Sequence, residues 1–224
     1  MFGEAPKDWI HRVYVAESLS MDRDLMEKAE KCSFEIVSDP VFRQMSDTQT
    51  PQGILTVLKI PSYTLQDVFR GEHPLIMVLE DLQDPGNAGT IFRTGEGAGV
   101  SGIILTKNSV DVTNPKVIRS TMGSIFRMPY VYVENVASLK KEFLFRGIKS
   151  YAAHLDGKQS YEQEDYQSGS AFLIGNEGNG LSAEAARMAD RLIRIPMCGQ
   201  VESLNAAMAA GILMYEAARQ RRNG

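Results

Sequence analysis

Asn87 and Arg93 stand six residues apart in DPGNAGTIFRTG, just after an apolar run. An amide near a helix start can cap the helix or hold a ligand, and a guanidinium one to two turns further on can stabilise developing negative charge. The plainer alternative makes Asn87 a cap and Arg93 a solvated helix residue. A second stretch, LIGNEGNGLS at 173–182, sets Glu177 among glycines. Glycine lets backbone approach a ligand closely, and the carboxylate suits a cation or a hydroxyl better than a phosphate. The alternative is a flexible turn with a solvated glutamate. A bulky residue at Gly175 is expected to block that approach while leaving the fold largely intact. A third stretch, IPMCGQVESLNAAMAAGI at 195–212, opens a small-residue helix with Ser203 and Asn205. A helix N-terminus with a hydroxyl beside it suits a phosphate, although Ser203 reads equally well as an ordinary N-cap.

Each of these stretches follows a predicted strand. LIMVLE at 75–80 and AFLIG at 171–175 are continuous apolar runs, as strands covered on both faces are. Further strands are predicted at 102–106, 130–133, 149–153 and 191–196, alternating with helices to about Gly97, from Asn114, at 137–145 and at 182–190. The last helix is expected from about Ser203, with Leu204, Ala207, Met208, Gly211, Ile212 and Tyr215 along one apolar face. This alternation predicts an α/β fold, a mostly parallel sheet with helices on both faces and ligands at the strands' C-terminal ends. Residues 61–74, bounded by prolines, read as a linker. Upstream lie strands at 12–15, 34–38 and 53–59, a helix at 21–31 capped by Ser20 and a short helix from Pro40, roughly 60 residues of α/β that are small for an independent core. The run Gly95-x-Gly97-x-Gly99 reads as a helix end. With no G-x-G-x-x-G at a strand-to-helix turn, a nicotinamide-dependent dehydrogenase is disfavoured.

The composition narrows the classes further. Hydrophobic residues make up 43% and charged residues 23%, which is globular. No stretch reaches the ~18 apolar residues of a membrane span, and the N-terminus lacks the shape of a signal peptide. Two cysteines and three histidines give neither a disulfide framework nor metal-ligand spacing, so a cytoplasmic setting without metal or membrane is expected. A net charge of −4 leaves RNA binding to local arginines: Arg93, Arg119, Arg127, Arg219, Arg221 and Arg222.

The order N-x-G-x-x-x-R, G-N-E-G-x-G, I-P-M-x-G-x-x-x-S-L-N resembles the SpoU (TrmH-type) RNA ribose methyltransferases of the SPOUT superfamily, over about residues 72–222. The resemblance implies methyl transfer from S-adenosyl-methionine to a ribose 2′-hydroxyl of rRNA or tRNA. It also implies a C-terminal trefoil knot and a homodimer paired through the knot region. Carried over by position, the catalytic set is Asn87, Arg93, Glu177, Ser203 and Asn205, and the cofactor contacts are Gly175, Ile195, Met197 and Leu204. Because arginine is not normally deprotonated, Arg93 is read as stabilising the alkoxide or a phosphate, Ser203 as holding a phosphate, and the others as fixing the pocket. Residues 1–60 are similar to the family's ribosomal-protein-like RNA substrate-binding domain, apparently abbreviated, ahead of a catalytic domain at 75–224. The competing function is an RNA-binding or ribosome-assembly protein that keeps the fold with little activity.

Overall fold

The computed structural model describes residues 5–223. They fall into two compact units, divided between Ser62 and Tyr63.

In the first unit, β1 (Ile10–Ala16), β2 (Phe34–Val37) and β3 (Ile54–Leu58) form a sheet of order β2-β1-β3, parallel on one side and antiparallel on the other. Two short helices, α1 (Arg23–Ala29) and α2 (Asp39–Met45), complete it. Val13, Val15 and Ala29 are fully buried. Ser20 does not cap α1. Its hydroxyl donates to the Glu17 carbonyl at 2.7 Å in a preceding turn, and the helix begins at Arg23.

The second unit holds a sheet of seven strands. They are β4 (Leu75–Leu79), β5 (Gly102–Thr106), β6 (Tyr130–Val133), β7 (Lys149–Ala153), β8 (Gln159–Ser160), β9 (Ser170–Ile174) and β10 (Arg191–Arg194). The order is β6-β5-β4-β9-β7-β10-β8, and the pairings are parallel. Every residue of β4, β5 and β9 is buried. Side chains of a strand alternate between faces, and the core divides accordingly. Leu75, Met77 and Leu79 pack with α4 (Pro85–Ala98), α5 (Pro115–Ser120) and α8 (Ala206–Asn223). Ile76 and Val78 pack with α3 (Leu65–Val68), α6 (Lys140–Arg146) and α7 (Ala183–Met188). The expected parallel sheet with helices on both faces is what the chain forms.

Two further elements differ from expectation. Within 61–74, the capping box of Thr64 and Asp67 starts α3, and Val68 and Phe69 are buried in the core. From Tyr63 this segment clusters with the second unit. The last helix begins at Ala206 rather than at Ser203. Its buried face is Ala206, Ala207, Ala210, Leu213, Met214, Ala217 and Ala218. Met208 and Tyr215, expected on the apolar core face, are 60% and 48% exposed. α8 packs against α4, where Met214 faces Gly95 and Gly211 faces Thr94 at ordinary van der Waals distance. The buried face thus takes five alanines with Leu213 and Met214 and leaves Met208 and Tyr215 outside it.

Candidate active site

β4 and β9 are neighbours at the centre of the sheet, and the chain leaves them in different directions, the arrangement that opens a crevice at strand C-termini. The Glu80 N–H donates to the Ile174 carbonyl at 2.8 Å and fastens the two loops at their base. The loop after β4 enters α4 through Asp84, whose Oδ1 accepts the Asn87 N–H at 2.7 Å, with Pro85 in the first turn. Asp84 is therefore the cap, and the Asn87 side chain is released for another task. Gly99, with φ of 80°, ends α4 as the glycine run predicts. Gly89 is demanded by packing, since a side-chain carbon there would lie 2.3 Å from the Ser120 Cβ of α5.

Glu177 is the joint of the site. Its carboxylate accepts the Gln83 N–H at 3.0 Å, the Asp84 N–H at 2.9 Å and the Asn87 Nδ2 at 2.9 Å. Asn205 Nδ2 donates to Asn87 Oδ1 at 2.9 Å. Asn205 Oδ1 accepts the N–H groups of Ala207 and Met208 at 2.9 and 3.3 Å, which makes Asn205 the cap of α8. One chain of hydrogen bonds thus ties together three loops that lie far apart in sequence. Ser203 takes no part in it. It is exposed, three residues ahead of α8, so the plain N-cap reading of Ser203 is overturned and its hydroxyl is open to a ligand.

Burial raises the Glu177 pKa, but the donors from Asn87, Gln83 and Asp84 outweigh it and hold the group below its ordinary value. A carboxylate with a depressed folded pKa contributes stability above its unfolded pKa and loses it as pH falls through the folded one. The stability gap between wild type and Glu177→Gln is therefore expected to be open at neutral pH and to close below the ordinary carboxylate range. Denaturant titrations at a series of pH values read this directly.

A cavity of about 400 Å³ lies between the loops after β7, β9 and β10, within the roughly 300–1,000 Å³ of small-molecule sites. Gly175, Ile195, Met197 and Leu204 all line it, as do Glu177 and Ser203. Asn87, Asn205 and Arg93 do not. Arg93 is exposed on α4, and among the described residues nothing pairs with it. It follows Asn87 by six residues, roughly 120° around the helix, and so faces away from the Glu177 joint. Of the other arginines considered for RNA, Arg127 is held by Glu96, Arg219 by Glu216, and Arg221 by the carbonyls of His73, Tyr166 and Ser168.

Gly175 corrects one expectation. A side-chain carbon there would stand 2.1 Å from the Gly180 carbonyl carbon and 2.2 Å from the Leu181 nitrogen. The loop folds back on itself at this point, where Asn176 and Gly180 form a two-way backbone bridge. Substitution therefore distorts the loop before any ligand arrives. Gly175→Val is expected to lower the melting temperature by roughly 5 °C or more as well as to damage the cavity, and calorimetric melting of the two proteins tests it.

Residues that the motifs did not single out as site residues also hold the site. Asn176 Oδ1 accepts the N–H groups of Gly178 and Asn179, while its Nδ2 donates to the Asp81 carbonyl at 2.8 Å. Asp81 has φ of 51°, and Thr106 Oγ1 donates to its carboxylate at 2.6 Å. Glu80 accepts both the N–H and the hydroxyl of Ser182, at 2.7 and 2.6 Å, and so anchors the cap of α7. The Gly175-Asn176 pair is a turn signal that could have pointed to Asn176. The partners of Asp81 and Glu80 come from distant strands and leave no local signal.

Among the described residues no cluster of three or more His, Cys, Asp or Glu could hold a metal, and no helix is long and apolar enough to cross a membrane.

Comparison with known proteins places this geometry. The SpoU rRNA Methylase family matches residues 74–215, and the RNA 2'-O ribose methyltransferase substrate binding family matches residues 3–64. An uncharacterized tRNA/rRNA methyltransferase of Synechocystis is 39% identical over 189 residues, 83% of this chain and 67% of the relative. A 23S rRNA (guanosine-2'-O)-methyltransferase of Bacillus subtilis, RlmP, is 34% identical over 180 residues, 80% of this chain and 70% of the relative. The crystal structure of the SpoU methyltransferase AviRb from Streptomyces viridochromogenes with AdoMet superposes with a TM-score of 0.85 at 27% identity. It covers 96% of this chain and 85% of that one.

Proposed function

The chain belongs to the SpoU rRNA methylase family, and from that premise we propose that it transfers a methyl group from S-adenosyl-methionine to a ribose 2′-hydroxyl of rRNA or tRNA. The observation that carries this reading is the joining of all three motif loops through Glu177, Asn87 and Asn205 beside a cavity.

The residues present fit the cofactor. The cavity has an apolar wall of Ile195, Met197 and Leu204, and the tightly folded backbone around Gly175 borders it. When bound, S-adenosyl-methionine supplies a methyl group on a sulfonium, an electrophile with a good leaving group. The protein then has to position the ribose hydroxyl and stabilise the charge that develops on it. Arg93 provides that charge, because its guanidinium stays protonated. Ser203 offers a hydroxyl to the neighbouring phosphate. Asn87, Glu177 and Asn205 act as positioning residues that hold the three loops in one arrangement.

Two further features belong to the same reading. The first unit selects the RNA and the second, which takes in α3 from the expected linker 61–74, carries the chemistry, in the cytoplasm, in keeping with the free cysteines Cys32 and Cys198. The active unit is a homodimer. Arg93 stands outside the cavity of its own chain, on the face of α4 next to the exposed Tyr215 of α8: a side-chain carbon on Gly97, one turn beyond Arg93, would lie 3.2 Å from the Tyr215 hydroxyl. A two-fold pairing over that face brings Arg93 toward the partner's cavity.

Nucleoside mass spectrometry of rRNA and tRNA from cells with and without the gene tests the function. Loss of one 2′-O-methylated nucleoside, restored by the purified protein and cofactor, is the expected result. Unchanged methylation would favour an RNA-binding or ribosome-assembly role with the fold retained.

A further inference from the structure

Arg194 and His154 are the side chains lining the cavity that can carry positive charge. They sit at the C-terminal ends of neighbouring parallel strands. Ile193 of β10 pairs with Ala153 of β7, and the His154 N–H donates to the Ile193 carbonyl at 2.9 Å. Residues 194 and 154 therefore come level with each other. Arg194 is exposed and nothing among the described residues pairs with it, whereas Arg191, at the other end of β10, lies 3.8 Å from Glu164. His154 Nδ1 accepts the Asp156 N–H at 3.1 Å. The Asp156 carboxylate also lies 3.7 Å from Nδ1, and among the described residues Nε2 has no partner.

The negative side chains that line the cavity are Glu177, already holding three donors, and Glu202, while Asp156 stands outside the lining beside His154. A ligand that brings a carboxylate into this partly enclosed space loses water and needs donors in return. A guanidinium meets a carboxylate with two parallel N–H groups. The apolar wall of Ile195, Met197 and Leu204 suits a heterocycle instead.

We propose that Arg194, with His154 beside it, receives the carboxylate at the amino-acid end of the cofactor and so selects a nucleoside that carries an amino acid over a bare thionucleoside. This rests on the methyl-transfer reading above and adds two residues to it.

Isothermal calorimetry on the full chain tests the assignment with S-adenosyl-methionine, S-adenosyl-homocysteine and 5′-methylthioadenosine, which lacks the amino-acid end. Arg194→Gln is expected to weaken the first two by roughly tenfold or more, the effect of losing a charge-assisted hydrogen bond, and to leave 5′-methylthioadenosine unchanged. His154→Ala is expected to act on the same two ligands, less strongly. Arg194 is at an exposed strand end, and matching melting curves confirm that the variant folds. Equal affinity of Arg194→Gln and wild type for the first two ligands overturns the proposal, as does an equal loss on all three. A wild-type chain that binds none of the three overturns the functional reading itself and this assignment with it.

Discussion

Arg93→Ala is expected to lower methyl transfer by roughly 100- to 1,000-fold, the range found when one donor to a developing oxyanion is removed. Cofactor affinity should stay close to wild type, because Arg93 does not line the cavity. Stability should stay close as well, since the side chain is exposed and nothing among the described residues pairs with it. A loss confined to the transition state lowers kcat and kcat/KM together, whereas loss of uniform RNA binding raises KM alone. Steady-state kinetics on a methylatable RNA, with calorimetry for the cofactor, separate the two. Arg93→Lys is expected to recover part of the rate by keeping the charge without the planar fork. Near-normal turnover in Arg93→Ala removes the residue from the mechanism.

Much of the second unit is legible from local pattern. β4, β5 and β9 are buried on both faces, and continuous apolar runs announce such strands. What escapes local reading has a definable cause. β8 has two residues, too few for any period. α3 hides between prolines, and its capping box is the one local sign that Val68 and Phe69 enter the core. In α8 a hydrophobicity pattern weights Met208 and Tyr215 above alanine, yet the helix turns five alanines with Leu213 and Met214 inward to the core it shares with α4. Face selection there is a property of the neighbouring helix and is invisible in α8 alone.

The site divides along the same line. Residue types and motif order single out Asn87, Glu177 and Asn205, but the hydrogen bonds among them span 90 and 118 residues. No spacing rule reaches that far. The local alternatives also changed hands: Asp84, not Asn87, caps α4, and Asn205, not Ser203, caps α8. Both exchanges release side chains that the plain readings had occupied, Asn87 for the Glu177 joint and Ser203 for a ligand.

The exposed face of α8 leads to the second large effect. Met208 and Tyr215 project from the helix with 60% and 48% of their surface exposed, one turn pair apart on the same side, and Arg93 stands on the adjoining face of α4. This pair of apolar side chains beside the site is expected to be covered in the proposed homodimer. A small-residue stripe of Ala207, Gly211 and Ala218 does not provide it, because Ala207 and Ala218 are in the core. Light scattering at micromolar protein is expected to give twice the 24.8 kDa mass of one chain. The double substitution Met208→Glu, Tyr215→Glu puts like charges across a two-fold axis and is expected to give a folded monomer with methyl transfer reduced as severely as in Arg93→Ala. Circular dichroism checks that the monomer is folded. Mixing supplies the sharper reading. If Arg93 of one chain serves the cavity and Ser203 of the other, a heterodimer of Arg93→Ala and Ser203→Ala chains keeps one intact site and one doubly damaged site. With random exchange about half the dimers are mixed, so activity should return to roughly a quarter of wild type, following the symmetry of a two-fold pair. Activity that stays at the level of the two parent variants would instead mean that each chain completes its own site.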